Sequence, residues 1–369
     1  GSMTDEPLGI LLMADVPADP DSGAAGTELQ TARALRELGH RVETVWADSL
    51  ERRIPHGNLH YLLELPLAYR REMKRRLAER PFDVVHANQP HGWLAARSLP
   101  RDRERPVFVH RSHGFEMRAE RDLAPWKRRF GAEDDASLLR SVARRMMAKL
   151  LVDGSGRRIA RWADGHVVSA SQCGDFLVRD LGVSPDRVAV IPQAAPPAYR
   201  TVDAPAMDED RLGRVLYVGQ VAFYKGPDVL AEAFRRVAER RPDVTFTWVC
   251  AAEQHDAARA CLGPELAERT ELLGWMSQSD LREVYDRHGV FLFPSLFEGF
   301  GKTFLEAMSR GLCVVAADNG GMRDVVRDGE DGLLVPTGDA EAMATAALSL
   351  LESPRRAAAL SEAGARRAR

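Results

Sequence analysis

Two glutamates, Glu298 and Glu306, flank a glycine-rich turn in FPSLFEGFGKTFLEAMSRG (293–311), with Lys302 between them. VFLFPS (290–295) reads as a strand, LFEGFG turns, and KTFLEAMSR reads as a helix closed by Gly311. A strand-to-helix turn of this kind is an anion site. Its N–H groups point outward and the helix dipole adds roughly half a positive charge. Gly299 and Gly301 let the backbone come close to a ligand. Thr303, Glu306 and Arg310 fall on one helix face, while Phe304, Leu305 and Met308 form the buried stripe. Glu306 is thus about one turn behind the anion, where it suits both hydroxyls of a ribose. Glu298 faces the position of a leaving sugar. Together these residues describe a pocket for a nucleoside diphosphate carrying a sugar.

Such a turn needs a parallel sheet behind it. LGILLMA (8–14) is a short buried-type strand, and GTELQTARALRELGH (26–40) is an amphipathic helix with Leu29, Ala32, Leu35 and Leu38 at helical spacing. RVETVWA (41–47), FDVVHAN (82–88), PVFVHRS (106–112), GHVVSAS (165–171) and VAVIPQA (188–194) continue the strand series. YRTVDAPAMDEDRLGR (199–214) has no apolar period and breaks it. The pattern then restarts with VLYVG (215–219), a helix over 227–240, VTFTWVC (244–250), TELLGW (270–275), VFLFPS, LCVVAAD (312–318) and GLLVP (332–336). The expected class is α/β, with two doubly wound domains, 4–198 and 214–369, joined by a linker at 199–213. Ligands of such sheets bind beyond the carboxyl ends of the strands. Two facing domains would put the main site in a deep cleft.

The bulk numbers exclude little. The chain has 369 residues, a formal charge of −3 and ordinary hydrophobic content. No apolar run is long enough for a membrane span. Gly1-Ser2-Met3 reads as a tag scar, and no signal peptide follows it. Cys173, Cys250, Cys261 and Cys313 are scattered without zinc-site spacing, which suits a reducing, cytoplasmic protein. The closing SEAGARRAR carries no helix stop, so the final helix is expected to run on past it. Lysine is confined to positions 74, 127, 149, 225 and 302 in an arginine-rich chain. Lys225 and Lys302 fall in glycine-rich segments, where a compact point charge is useful.

The 293–311 segment resembles the signature of the retaining family-4 glycosyltransferases: a Pro-Ser strand end, E-G-F-G, a second Glu, then E-A-M and Gly. The likeness continues through DNGGMRDVVRDGEDGLLVPTGD (318–339), VLYVGQVAFYKGPDVLAEAF (215–234) and ADGHVVSASQCGDFLVRDLGVSPDRVAVIPQ (163–193). It is close over 160–340 and looser before that. The resemblance implies the GT-B architecture of two facing Rossmann-like domains, with 4–198 binding the acceptor and 214–369 the nucleotide-sugar donor. It implies a nucleotide-sugar donor, a hydroxyl acceptor (small molecule, lipid-linked or glycan), no cofactor and no required metal.

Residue by residue, Lys225 matches the lysine that holds the diphosphate, Glu306 the ribose ligand and Glu298 the glutamate beside the donor sugar. Gly299, Phe300 and Gly301 would offer backbone N–H groups, next to Lys302 and Thr303. Trp275 and Met276, in LLGWMS, match the segment that pairs with the nucleobase through its backbone. His113, in VHRSHGFE, matches the histidine near the transferring sugar; His86 and His110 also end strands. Gly23 and Gly26, in DSGAAGTELQ, resemble the glycine-rich loop after the first strand. Two positions depart from the family pattern. Gln220 stands where an arginine is usual, a charge Lys302 can supply, and Gln193-Ala194 stand where Asn-Gly is usual. The implied chemistry is transfer with retention, the departing phosphate helping to deprotonate the acceptor. On the same architecture, a sugar-nucleotide epimerase and a non-catalytic sugar-nucleotide binder are the alternatives.

SLLRSVARRMMAKLL (137–151) is a basic amphipathic helix. It reads either as packed on the first sheet or as a peripheral contact with the inner membrane face. No aromatic-interleaved basic motif points to nucleic acid. Asp208-Glu209-Asp210 reads as a solvated acidic run rather than a metal motif.

Overall fold

The computed structural model describes residues 6–19, 23–55, 57–100, 104–130 and 153–369. They form two compact units: one within Gly1–Arg121 and Gly131–Ile191, the other Asp122–Phe130 with Pro192–Arg369. The basic stretch 137–151 lies outside the described residues. No described helix is long and apolar enough to cross a membrane.

Unit one is a parallel sheet of six strands: β1 (Gly9–Met13), β2 (Arg41–Val45), β3 (Val84–Asn88), β4 (Val107–Ser112), β5 (Gly165–Val168) and β6 (Val188–Val190). Their spatial order is β2-β1-β3-β4-β5-β6, so the winding reverses between β1 and β3. Helices α1 (Gly23–Glu37) and α2 (Leu65–Glu79) contribute to the layers around it, while α3 (Glu116–Arg129) begins in unit one and from Asp122 onward belongs to unit two. β1 is buried throughout, as a strand covered on both faces must be. α1 starts earlier and ends sooner than its apolar spacing suggests. Leu38 therefore falls in the following turn, 73% exposed, and does not extend the buried stripe.

Unit two has β7 (Arg214–Val218), β8 (Thr245–Val249), β9 (Thr270–Leu273), β10 (Val290–Phe293), β11 (Cys313–Ala317) and β12 (Leu333–Val335), all parallel. The order β12-β11-β10-β7-β8-β9 places the switch point between β7 and β10. Its helices include α4 (Pro227–Arg240), α5 (Gln278–Arg287), α6 (Lys302–Ser309), α7 (Gly320–Val325), α8 (Ala340–Leu351) and α9 (Pro354–Arg367). The core joins Phe234, Trp248, Phe291, Phe293 and Phe304. Trp248 donates its Nε1–H to the Gly219 carbonyl at 2.9 Å, fixing the end of β7.

Residues 199–213 are ordered within unit two. The buried Arg310 donates to the carbonyls of Tyr199 (3.2 Å), Val202 (2.6 Å) and Asp203 (3.0 Å) and pairs with Asp286 at 2.7 Å. Arg310, which the helical spacing puts on one face with Glu306, therefore serves the fold. The acidic run is structural too: Asp208 caps its short helix by accepting from the Arg211 N–H, and Asp210 pairs with Arg214.

Candidate functional site

In unit two, β7 and β10 lie side by side and each ends in a turn. After β7, Phe223–Lys225 forms one tight turn and Gly226 starts α4 with φ 68. A side chain at Gly226 would run into the Pro294 carbonyl, so the glycine is what lets the Lys225 turn press against the end of β10. The N–H groups of Leu296 and Phe297 donate to the Tyr224 carbonyl at 2.8 and 3.2 Å, stapling the two turns together.

This brings Lys225 Nζ to 2.5 Å from Glu298 Oε1. Glu298 is 6% exposed and also accepts from the Ser295 hydroxyl at 2.8 Å. The Ser295 carbonyl in turn accepts from Asn319 Nδ2 at 2.7 Å. Gly320 packs so closely that a Cβ would come within 2.6 Å of Glu298 Cβ. Lys225 lies over the Tyr224 and Phe293 rings, at 5.3 and 5.5 Å from their centroids. The result is a buried carboxylate with a paired ammonium at a switch point.

The E-G-F-G turn ends with Gly301 at φ 92 as the residue before α6. The Phe300 ring points inward, packed on Phe304 at 5.6 Å, so only its backbone can face a ligand. Lys302 and Thr303 are half-buried in the first turn of α6. Glu306 is 8% exposed and accepts from the Tyr285 hydroxyl at 3.0 Å. Burial pushes its carboxyl up to about 7, although the nearby Lys302 and the Tyr285 hydrogen bond pull the other way. Gln220 is exposed after β7. Past the end of β9, Trp275 is 51% exposed and Met276 is half-buried against the core.

The remaining expected residues belong to unit one. Gly23 and Gly26 both lie in the first turn of α1 rather than in a loop; the Gly23 amide is among those a helix leaves without an intrahelical partner, whereas Gly26 stands where the helix's own hydrogen bonds begin. His113 follows β4 and places Nε2 2.9 Å from Glu28 Oε1. Glu28 is fully buried, with Arg111 Nε at 3.7 Å and His86 Nδ1 at 3.9 Å. Arg111 also donates to the Thr31 hydroxyl at 2.7 Å. Burial would raise the Glu28 carboxyl, but the His113 hydrogen bond and the Arg111 charge outweigh it and hold it below the usual range. His86 is held down to about 4 by burial. His110 is fully buried with Nδ1 3.0 Å from His166 Nδ1, a core pair rather than a ligand-facing group.

Glu28, Ser295, Asn319 and Tyr285 were not singled out by the spacing of residues. Glu28 had a visible signal, a carboxylate one position before the apolar row of α1. Tyr285 had none, since it reaches Glu306 only through the packing of α5 on α6. Among the described residues, no group of three or more His, Cys, Asp or Glu is placed to hold a metal ion.

Two family models match the chain, Glycosyltransferase Family 4 over residues 22–199 and Glycosyl transferases group 1 over 213–353. A curated relative, D-inositol 3-phosphate glycosyltransferase of Rhodococcus jostii, is 30% identical over 305 residues, covering 78% of this chain and 62% of that protein. The chain thus matches less than two thirds of that relative's length. Among solved structures, sucrose-phosphate synthase from Thermosynechococcus elongatus aligns with a TM-score of 0.74 at 22% identity, covering 98% of this chain and 94% of that one. Anabaena HepE in complex with UDP and glucose aligns with a TM-score of 0.67 at 17% identity, covering 98% and 94%. The motif at 293–311, the two doubly wound sheets and both family matches agree: the chain belongs to glycosyltransferase family 4, with the GT-B fold.

Proposed function

We propose that the chain moves a hexosyl-type sugar from a nucleoside diphosphate to a hydroxyl acceptor, with retention at the anomeric carbon. The observation that carries this reading is the Lys225–Glu298 pair, 2.5 Å apart where the strand order reverses. A carboxylate this buried needs compensating charge, and the Lys225 ammonium supplies it. A diphosphate would compete for Lys225 and free Glu298 to accept from hydroxyls of the donor sugar.

In this reading Lys225 stabilises the negative charge that develops on the leaving group. The amides at the start of α6, with Lys302 and Thr303, hold phosphate oxygens, and Glu306 holds the ribose. The backbone at Trp275 and Met276 meets the base. His113, fixed by Glu28, hydrogen-bonds the transferring sugar. The departing phosphate takes the acceptor proton, a route that relies on orientation and leaving-group stabilisation rather than on a strong protein base or a metal. Support comes from the activity named for the Rhodococcus relative and from the UDP and glucose named for HepE. The cytoplasm is the expected location, with the membrane surface as the place of work if the acceptor is lipid-linked.

The test is thermal unfolding with UDP, GDP, ADP and dTDP, for the parent and for Glu306→Ala. A nucleotide at about 100 times its dissociation constant adds roughly 2.7 kcal/mol of stability. One nucleotide should raise the parent's midpoint and leave the variant's unchanged. A parent that responds to none of them sinks the donor reading.

A further inference from the structure

Tyr217 is the fourth residue of β7, one of the two strands at the switch point of unit two. It is 1% exposed, with its ring centre 5.4 Å from that of Trp248 and 6.4 Å from that of Phe293. Phenylalanine would fill the same space. The hydroxyl is the part of this side chain that packing does not explain.

Among the described residues, that hydroxyl has no hydrogen-bond partner. It lies against Gly219, where a side chain would run into it. The Gly219 backbone is already engaged: its N–H donates to the Val249 carbonyl at 3.0 Å, and its carbonyl accepts from Trp248 Nε1 at 2.9 Å. A buried hydroxyl without a partner lowers stability, and native proteins keep few of them. One kept beside a binding turn calls for a use.

The surroundings of Tyr217 indicate that use. Tyr217 and Lys225 both lie against the Phe293 ring, with Lys225 Nζ 5.5 Å from its centre. Burial raises the Tyr217 hydroxyl well above the usual tyrosine range, and the charge of Glu298 is the next largest cause. The hydroxyl therefore keeps its proton and remains a donor. Glu298 Oε1 has Lys225 Nζ at 2.5 Å and accepts from the Ser295 hydroxyl at 2.8 Å. A diphosphate that draws Lys225 away leaves this buried carboxylate short of compensation, which another donor must then supply. The same unit already uses such a pair elsewhere: the fully buried Tyr285 donates to the buried Glu306 at 3.0 Å.

We propose that Tyr217 is a positioning residue for Glu298, its hydroxyl taking over as donor to the carboxylate when an anionic ligand draws Lys225 away. Glu298 then stays ionised and aimed while the ammonium serves the ligand. The assignment rests on the glycosyl-transfer reading above and adds a residue to its donor site.

The experiment is a double-mutant cycle read by urea unfolding: the full chain as parent, Tyr217→Phe, Lys225→Met and the two together. Calorimetric titrations with UDP, GDP, ADP and dTDP run beside it. With Lys225 present, Tyr217→Phe should hold or raise the urea midpoint, because the hydroxyl has no partner to lose. In the Lys225→Met background the same change should lower the midpoint, because the hydroxyl is then the donor to Glu298. Lys225→Gln takes the place of Lys225→Met if that variant does not fold. Tyr217→Phe should also weaken the parent's nucleotide about tenfold, the effect of one hydrogen bond to a charged group. In a Glu298→Gln background that weakening should vanish. A merely structural hydroxyl would lower the midpoint alike with and without Lys225 and leave nucleotide affinity unchanged. A loss no larger without Lys225 than with it overturns the proposal, as does unchanged affinity of Tyr217→Phe for a nucleotide that binds the parent. Nucleotide binding without the reversal between backgrounds defeats this inference alone. The reversal without binding of any nucleotide defeats the donor reading and leaves the link between Tyr217 and Glu298 standing.

Discussion

At the scale of residues, Glu306 makes the site sensitive to pH. Its carboxyl is raised to about 7, and the ionised form accepts from hydroxyls more strongly than the neutral one. Nucleotide affinity should therefore rise between about pH 6 and pH 8, and calorimetric titrations across that range would show it. Stability should move the other way. The folded protein holds this proton more tightly than the unfolded chain, so the contribution is full below the unfolded value of 4.5 and is lost as pH rises through about 7. Glu306→Gln should flatten both slopes; an unchanged affinity profile would show that another group titrates. A second residue-scale expectation concerns Glu28, which touches His113 at 2.9 Å. Glu28→Gln keeps the shape and removes the charge. It should lower kcat by about tenfold or more and shift the pH–rate profile, with donor KM little changed. Unchanged kcat and pH profile would make the pair structural only.

At the scale of elements, glycines decide how closely the two turns of unit two can approach. Gly226 and Gly329 both have positive φ, 68 and 78, but only Gly226 has a neighbour, the Pro294 carbonyl, in the path of a side chain. Alanine at either position meets the same backbone cost, of order 1 kcal/mol. Gly226→Ala should cost clearly more, about 2–3 kcal/mol, and should also abolish the nucleotide-induced shift by displacing Lys225. Urea unfolding of the two variants makes the comparison, and equal losses would refute the close-approach argument. The inner strands β1, β10 and β11 were legible as apolar runs, because a parallel strand buried on both faces has no polar alternation to obscure it. Their ends were not. VFLFPS stops pairing at Phe293, since Pro294 has no N–H for the ladder, and the residues beyond it build the site. Lys225, Glu298 and Glu306 were legible because their glycine-rich surroundings are local in sequence. The Tyr285–Glu306 bond and the Glu28–His113 pair were not, because each depends on which strands and helices become neighbours. The role of Arg310 was not legible for the same reason: its partners, Asp286 and the carbonyls at 199, 202 and 203, are remote along the chain.

At the scale of the whole molecule, the described residues divide into two units, each with its own sheet and switch point. Ligand effects should divide along the same line. Hydrogen exchange with a saturating level of whichever nucleotide stabilises the parent should slow at the ends of β7 and β10 and the start of α6, with the β1 and β3 ends of unit one less affected. Protection confined to unit one would refute the placement of the donor. The Tyr285 hydrogen bond to Glu306 has a further consequence for the supply of substrate. Tyr285 already satisfies one oxygen of a carboxyl that burial keeps reluctant to ionise, so a ligand must bring enough hydroxyls to tip it into the charged form. A ribose brings two and a 2′-deoxyribose only one. UDP should therefore bind about tenfold more tightly than 2′-deoxy-UDP, and the difference should vanish in Glu306→Ala. In a cell this single carboxyl would act as a sieve between the ribonucleotide and deoxyribonucleotide pools, admitting activated sugars from the first and turning away those built on the second.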